Sequence, residues 1–343
     1  MALAADSVRA PSAGWLRNPS FDLMLICGLA AFGLAAGGLI ALVPAAVGII
    51  LLADSWLLGY PHVAATFVRL VPDKASVQAH KFLVFGLPIV VVLATTAIAI
   101  GLGFALVATI YFYWQWYHTL RQSWGVSQLY RRRSAVPVNE SPLSAEALFT
   151  LVALWGLLHR LTTAQDYFIY PSLPLSVPQV PVMLANGVGV LAVVGLIWWA
   201  VARLREWIAG TLPLAHTLFS VSHYFIFIVG YVVMDNVAGG WLVTNIWHTS
   251  QYLMLVWMFN ENAAAKAPSR WFFRLTRGNR AALYFVVCLL AAFPVYYAIN
   301  SVFLWGTTGL LFALVANQSL NFHHFIVDAV IWRQKRKPAG APA

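Results

Sequence analysis

The sequence predicts an all-α, polytopic integral membrane protein, a bundle of about ten transmembrane helices. Hydrophobic residues make up 61% of the 343 residues and charged residues only 9%, values outside the range of soluble domains. Apolar stretches of roughly the 20 residues that cross a bilayer recur along the chain. The predicted spans are 22–43, 46–70, 81–102, 104–130, 145–163, 180–202, 212–234, 238–261, 280–303 and 306–333.

Basic residues predict the orientation of these spans. Of the 21 lysines and arginines, 20 fall on one side of the predicted topology, and Arg160 is alone on the other. Basic loops remain in the cytoplasm, so both termini are predicted to be cytoplasmic in a multi-pass protein of the cell inner (cytoplasmic) membrane. This topology, with attraction to membrane lipid headgroups, accounts for the net charge of +10 without a nucleic-acid partner.

The chain is predicted to form a single transmembrane domain over residues 1–343. Residues 1–20 form a cytoplasmic N-terminal segment, residues 21–333 the helix bundle and residues 334–343 a basic cytoplasmic tail. The first 20 residues lack the apolar core and cleavage site of a secretory signal, so the first span is predicted to be retained.

Seven histidines within the spans are the strongest functional signal. Ionisable side chains inside a membrane are costly and usually serve a function. At 1.5 Å per residue, five of them lie about 12 to 19 Å from the inner end of their spans, and His216 is shallower at about 6 Å. A shared depth favours a metal centre, although any one histidine alone is better explained as a hydrogen-bonding residue between helices. The seven predicted metal ligands are His62, His118, His216, His223, His248, His323 and His324.

The last span carries a polar stripe that supports this interpretation. Asn317, Asn321, His324 and Asp328 fall within about 40° of one line on a helix. Asp328 lies one turn beyond His324, where a carboxylate orients a metal-bound imidazole. We therefore predict that three residues orient the metal ligands through hydrogen bonds: Asp328, Asn321 and Asn317.

The remaining roles follow from position. The predicted principal ligands are His62, His118, His223, His248 and His324. The other two histidines, His216 and His323, are predicted to be either ligands or groups that hydrogen-bond to a ligand. Gln122 and Tyr252 are predicted catalytic residues that contact oxygen or substrate. Imidazole suits iron, copper and zinc, and the few carboxylates do not suggest a carboxylate-bridged bundle. The prediction is non-haem iron, one or two ions, with copper or haem as alternatives.

Two families of membrane enzymes invite comparison. Membrane desaturases and hydroxylases bind metal through HxxxH and HxxHH boxes, and here His323-His324 has no histidine three or four residues before it, so the boxes are not matched. The segment Gly59-Tyr60-Pro61-His62 resembles the Pro-His segment of the Brp/Blh family of membrane beta-carotene dioxygenases, without the Gly and Asp that usually follow it. The resemblance implies iron held by histidines on several helices and an isoprenoid or carotenoid substrate.

The sequence thus predicts an iron-dependent oxygenase, desaturase or hydroxylase acting with oxygen on a hydrophobic lipid or isoprenoid, with electrons from a cytoplasmic donor. Two other classes stay open. One is a haem-binding membrane electron-transfer protein, in which histidines from facing helices ligate haem. The other is a transporter or assembly factor, in which the histidines, Arg69 and Asp328 form a proton or anion path.

Overall fold

The protein is all-α. The computed structural model describes residues 14–71, 74–163, 178–266 and 280–332, and the regular structure within these ranges is entirely helical. This confirms the predicted fold class. The predicted basic tail and residues 1–13 of the predicted N-terminal segment lie outside the described ranges.

Ten long helices fall within the described ranges, one for each predicted span. Eight of them are long and apolar enough to cross a membrane, and α4 and α8 fall short of that hydropathy. A multi-pass membrane protein is therefore shown, while the count of ten spans and the side of the termini stay predictions. The helices are α1 (Pro19–Leu42), α2 (Pro44–Leu70), α3 (Phe82–Gly101), α4 (Phe104–Arg133), α5 (Pro142–Arg160), α6 (Val182–Ile208), α7 (Leu214–Val233), α8 (Val237–Lys266), α9 (Ala281–Ser301) and α10 (Gly306–Ile331).

Helices α4 and α8 are less apolar because they carry many buried polar side chains. A helix with polar groups on several sides needs protein partners, since lipid offers no hydrogen bonds. These side chains on α4 are Thr109, Gln115, His118, Thr119, Ser123 and Ser127, and those on α8 are Thr244, Asn245, His248, Thr249, Ser250, Gln251 and Asn260.

The described residues group into two compact units. The first unit contains residues 14–54, 116–163 and 178–251, and the second contains residues 55–71, 74–115, 252–266 and 280–332. The prediction of one transmembrane domain stays a prediction. Each unit has its own packing and its own histidines.

In the first unit, α5 packs against α6 and α7. Helices α7 and α8 meet through glycines, because a Cβ atom on Gly240 would overlap the carbonyl oxygen of Gly230. Small residues at such crossings allow backbones to approach closely where lipid provides no hydrophobic drive for association.

In the second unit, the last part of α2 packs against α9 and α10, and α3 packs against α10. Phe322, Phe325 and Val327 of α10 contribute to its apolar core. On the side of α9, Tyr60 stacks on Tyr296 with ring centroids 3.7 Å apart. These contacts fix the face that α2 turns towards α10.

Helix α2 contains a local widening that bears on this face. Residues Ser55–Gly59 form a π-helical turn, and a regular α-helix follows over Tyr60–Leu70. Pro61 has no N–H group and cannot bond a carbonyl in the preceding turn. Such wide turns inside α-helices occur frequently at functional sites, and here the turn ends three residues before His62.

Candidate metal centre

Three helices of the second unit bring five polar side chains together. The last part of α2 carries His62 and Thr66, one turn apart, and α10 carries His324 and Asp328 with the same spacing. Tyr252 of α8 completes the group. All five side chains are at least nine-tenths buried. We call them the His62–His324 cluster.

Two imidazoles meet directly in this cluster. The Nε2 atoms of His62 and His324 are 2.8 Å apart, and the ring planes are nearly perpendicular at 76°. Metal–imidazole bonds are about 2.0–2.1 Å, so two adjacent ligands of one ion lie roughly 3 Å apart. Among the described residues, both belong to a group of histidines whose ligand atoms lie close enough to one another to hold a metal ion. The two histidines therefore fit a shared metal ion.

The opposite nitrogen of His324 is held by a hydrogen-bond network. Thr66 Oγ1 donates to Asp328 Oδ1 at 3.0 Å, and the Tyr252 hydroxyl donates to the same oxygen at 2.7 Å. Because the carboxylate only accepts, the Thr66 hydroxyl has no hydrogen left for His324 Nδ1, which is 2.8 Å away. Nδ1 therefore carries the hydrogen and donates to Thr66. In neutral imidazole this leaves the Nε2 lone pair directed at His62.

Arg69 lies close to the carboxylate of this cluster. Its guanidinium carbon is 4.0 Å from the Trp332 ring centroid and 5.4 Å from that of Phe259. It also interacts electrostatically with Asp328. The stacked guanidinium keeps a positive charge near a buried carboxylate, which offsets part of the cost of burying that charge.

The sequence predicts Asp328 behind His324, and the structure shows how the two connect. Asp328 Oδ1 is 3.9 Å from His324 Nδ1, too far for a hydrogen bond, and Thr66 bonds to both. Sequence reasoning gave Thr66 no role. Its position one turn after His62 was a signal for it, because residues four apart share a helix face. Tyr252, predicted to contact oxygen or substrate, donates to Asp328 Oδ1, and its hydroxyl oxygen lies 2.6 Å from Thr66 Oγ1.

The other predicted site residues of α10 have different partners. His323 donates from Nε2 to the Leu83 carbonyl at 2.8 Å, and its ring stacks on Phe67. Asn321 donates to Gln318 at 3.2 Å and to Asn317 at 3.5 Å. The ligand role of His323 and the supporting roles of Asn317 and Asn321 stay predictions.

The first unit contains four of the predicted ligands. His118 and His248 form an edge-to-face ring pair with centroids 5.0 Å apart. Gln122, predicted to be catalytic, donates to the backbone carbonyl of His248 at 3.1 Å. The geometry thus links Gln122 to the helix that carries His248. The metal roles of both histidines stay predictions.

His223 is engaged on both nitrogens. Its Nε2 is 3.3 Å from the Phe149 carbonyl, which only accepts, so Nε2 carries the hydrogen. Nδ1 then accepts from the Ser123 hydroxyl at 2.8 Å. The imidazole also stacks on the Phe149 ring with centroids 4.2 Å apart. A metal at His223 would have to displace one of these bonds, so its predicted ligand role requires a rearrangement.

His216 lies beside a buried acid. Its Nε2 is 3.3 Å from Ser127 Oγ and 3.9 Å from Glu140 Oε1. Burial raises the pKa of the Glu140 carboxyl, although Arg203 and Arg131 act in the opposite direction. His216 is therefore part of a charged group in the first unit, and its ligand role also stays a prediction.

Comparisons with known proteins do not bear on this site. No family model, no curated protein and no solved structure matches the chain. The resemblance to the Brp/Blh family therefore stays a prediction. The geometry of the His62–His324 cluster is what supports a function.

Proposed function

We propose that the protein is a membrane-embedded, histidine-ligated oxidoreductase of the inner (cytoplasmic) membrane that acts with oxygen on a lipid or isoprenoid. Non-haem iron is the proposed cofactor. His62 and His324 would hold it. Bound iron would supply the activation of oxygen, which protein side chains do not provide.

The observation that carries the proposal is the 2.8 Å separation of His62 Nε2 and His324 Nε2. Because His324 carries its hydrogen on Nδ1, His62 Nε2 donates to His324 Nε2, and a bound metal ion would replace that hydrogen. The bond from His324 Nδ1 to Thr66 fixes the tautomer that a ligand needs, as the partners behind metal-bound histidines do. Nitrogen donors of this kind suit iron, copper and zinc, and among these iron and copper carry out oxygen chemistry.

The residues around the pair would position it and control protons. Thr66 connects His324 to Asp328 and so limits rotation of the imidazole. The Tyr252 hydroxyl oxygen is 2.7 Å from Asp328 Oδ1 and donates its proton to that carboxylate, beside the Thr66 hydroxyl. Burial excludes water from these groups, which strengthens each hydrogen bond and suppresses side reactions.

The membrane setting supports a hydrophobic substrate. Eight described helices are apolar enough to lie in a bilayer, and many large apolar side chains on them are exposed. A substrate such as a lipid or an isoprenoid could reach a buried site laterally from the same apolar phase. A cytoplasmic electron donor follows from the predicted depth of the histidines, not from a contact in the structure.

The geometry of this pair argues against the haem alternative. Two axial histidines of one haem place their nitrogens on opposite sides of the iron, roughly 4 Å apart at bonds of about 2 Å. The observed 2.8 Å is shorter and leaves no space for a porphyrin between the rings. Adjacent positions on a non-haem ion fit better.

Metal analysis tests the proposal. The full chain would be purified in mild detergent without added metal, reconstituted with iron, copper or zinc, and measured by plasma mass spectrometry and absorption spectroscopy. We expect stoichiometric iron without a Soret band. His80→Ala, a variant outside the predicted ligand set, should retain that metal. No stoichiometric metal under any condition would contradict the proposal and favour a transport or assembly role, and a Soret band would favour haem.

A further inference from the structure

A second group of buried charges lies in the first unit, at the helix ends that carry clustered arginines. Arg131 comes from the last turn of α4, Glu140 from the segment before α5, and Arg203 and Glu206 from the end of α6. Arg203 Nη2 donates to Glu206 Oε1 at 3.1 Å. Arg131 donates to the carbonyl of Glu140. We call these four residues the arginine pocket.

Three guanidinium donors of the arginine pocket have no hydrogen-bond partner. Within the described part of the chain, these buried donors are Arg203 Nε, Arg203 Nη1 and Arg131 Nη1. The Arg203 side chain is only 6% exposed. Among the buried acceptor atoms of the four residues, Glu206 Oε2 has no partner either. Unpartnered buried guanidinium donors are unusual, because such groups are almost always satisfied in folded proteins.

The Glu206 carboxylate has a second partner besides Arg203, and the Glu140 carboxylate lies near His216 without a hydrogen bond to it. Glu206 Oε1 already accepts from Arg203 and from Asn139, the latter at 3.4 Å. Glu140 Oε1 faces His216 at 3.9 Å. A ligand that supplies several acceptor oxygens and a negative charge would satisfy the free donors. The guanidinium fork matches phosphate oxygens in this way.

We propose that the arginine pocket binds a phosphate group, and that its position favours the headgroup of an anionic phospholipid as the source. The last turn of α6 exposes Trp207 and Ile208 at 71% and 79% next to Glu206. Exposed aromatic and aliphatic residues beside cations mark the interface between headgroups and acyl chains. Basic pockets between membrane helices bind anionic headgroups on the cytoplasmic side. The site is independent of the proposed oxidoreductase function.

Lipid titration tests this inference. The full chain, delipidated in mild detergent, would be titrated with phosphatidylglycerol, with phosphatidylcholine and with inorganic phosphate, and thermal unfolding would report binding. We expect phosphatidylglycerol to raise the Tm of the wild type more than phosphatidylcholine does. The variants R203Q and R131Q should weaken that binding by about tenfold to a hundredfold, as expected for loss of a charged hydrogen-bonding partner.

A matched control separates the pocket from the general basic surface. R205Q removes an exposed arginine two residues from Arg203 on the same helix, and it should bind phosphatidylglycerol like the wild type. Equal weakening in R205Q and R203Q, or equal binding of both lipids, would overturn the proposal. Stabilisation by inorganic phosphate in the wild type but not in R203Q would support the phosphate site with free phosphate as its source.

If R203Q does not fold, R203K and R131K keep the charge and remove the planar fork. Native mass spectrometry of these variants would then count retained lipid. Fewer phospholipid adducts in R203K or R131K than in the control R205K would support the proposed site. Adducts at the wild-type level in both R203K and R131K would contradict it.

Discussion

His62 and His324 of the second unit differ from His223 of the first unit in what their nitrogens face. In the second unit, His62 and His324 direct Nε2 atoms at each other, and a Thr66–Asp328–Tyr252 network holds the far side of His324. In the first unit, His223 has protein partners on both nitrogens. Burial is the same for all three, so burial alone does not indicate a ligand.

The contrast between His324 and His223 gives a criterion for recognising a candidate metal ligand in a membrane helix. A structural histidine donates to a backbone carbonyl and accepts from a hydroxyl, which satisfies both nitrogens. A histidine prepared for metal has one nitrogen fixed by a partner and the other directed at a second donor. His324 meets the second description.

The strongest test of this comparison removes one imidazole from the pair. His324→Ala or His62→Ala should abolish stoichiometric metal binding, because each removes one of two facing nitrogen donors. Metal content after reconstitution would be measured by plasma mass spectrometry, with circular dichroism to verify helicity. His80→Ala removes an imidazole of the same unit that lies outside the predicted ligand set, and it should retain metal. Full occupancy in His324→Ala would break the assignment.

The first unit can be tested in the same assay. The sequence predicts that His118→Ala also abolishes metal binding, whereas the bonds of His223 lead us to expect retained metal in His223→Phe. If both variants lost the metal, the contrast between the two histidine classes would disappear. His159→Ala, outside the predicted ligand set, is the control for the first unit.

Removal of the carboxylate should have the next largest effect. Asp328→Asn keeps the shape of the side chain but weakens the acceptor for Thr66 and Tyr252, so metal affinity should fall by about 10- to 100-fold. Competition with a chelator would measure it. Asp54→Asn is the matched change in the first unit, where Asp54 accepts from Asn245 at 2.6 Å, and it should leave the affinity unchanged. Equal losses of metal affinity in Asp328→Asn and Asp54→Asn would show that the effect comes from any buried carboxylate and not from the one beside His324.

Thr66 provides a smaller and more specific change. Thr66→Val removes the hydroxyl that accepts from His324 Nδ1, and we expect affinity to fall by roughly tenfold, at the lower end for such supporting partners. Thr66→Ser retains the hydroxyl and should restore wild-type affinity in the same chelator competition. Failure of serine to restore it would mean that packing of the threonine methyl group matters more than the hydrogen bond.

The smallest predicted effect is a loss of folding stability caused by a change in the first unit. Ser123→Ala leaves the buried Nδ1 of His223 without its donor, which should lower the free energy of unfolding by about 1–3 kcal/mol. Denaturant unfolding in detergent would measure this loss, while metal content should stay at the wild-type level. A fall in metal content together with stability would place His223 among the ligands after all.

Helix positions were readable from the sequence, and the contacts between helices were not. Composition and hydropathy predict the helices well because each span must satisfy its own backbone in lipid. The polar stripe on α10 likewise follows from helical periodicity. Which histidine meets which depends on the rotation and packing of separate helices, and nothing in local sequence reports that. Depth and helix face set His216 and His323 apart from the five predicted principal ligands, but they do not show that His323 and His324, neighbours in sequence, have unrelated partners.

The role of Thr66 shows the same limit. A threonine one turn from a histidine is common in membrane helices, where it often bonds its own backbone. Only the approach of α10 turns its hydroxyl into the link between His324 and Asp328.

The π-helical turn at Ser55–Gly59 makes the length of α2 as important as its side chains. Such a turn is equivalent to one residue inserted into a regular α-helix. Deleting one residue there removes the widening, so a regular helix takes its place and the faces on either side of it, including that of His62, keep their directions. A single-residue deletion in the regular helix between this turn and His62 has no wide turn to absorb it and would swing His62 by about 100° around the helix axis, away from His324. Ser55–Gly59 is therefore the part of α2 in which a change of length by one residue leaves the pair intact.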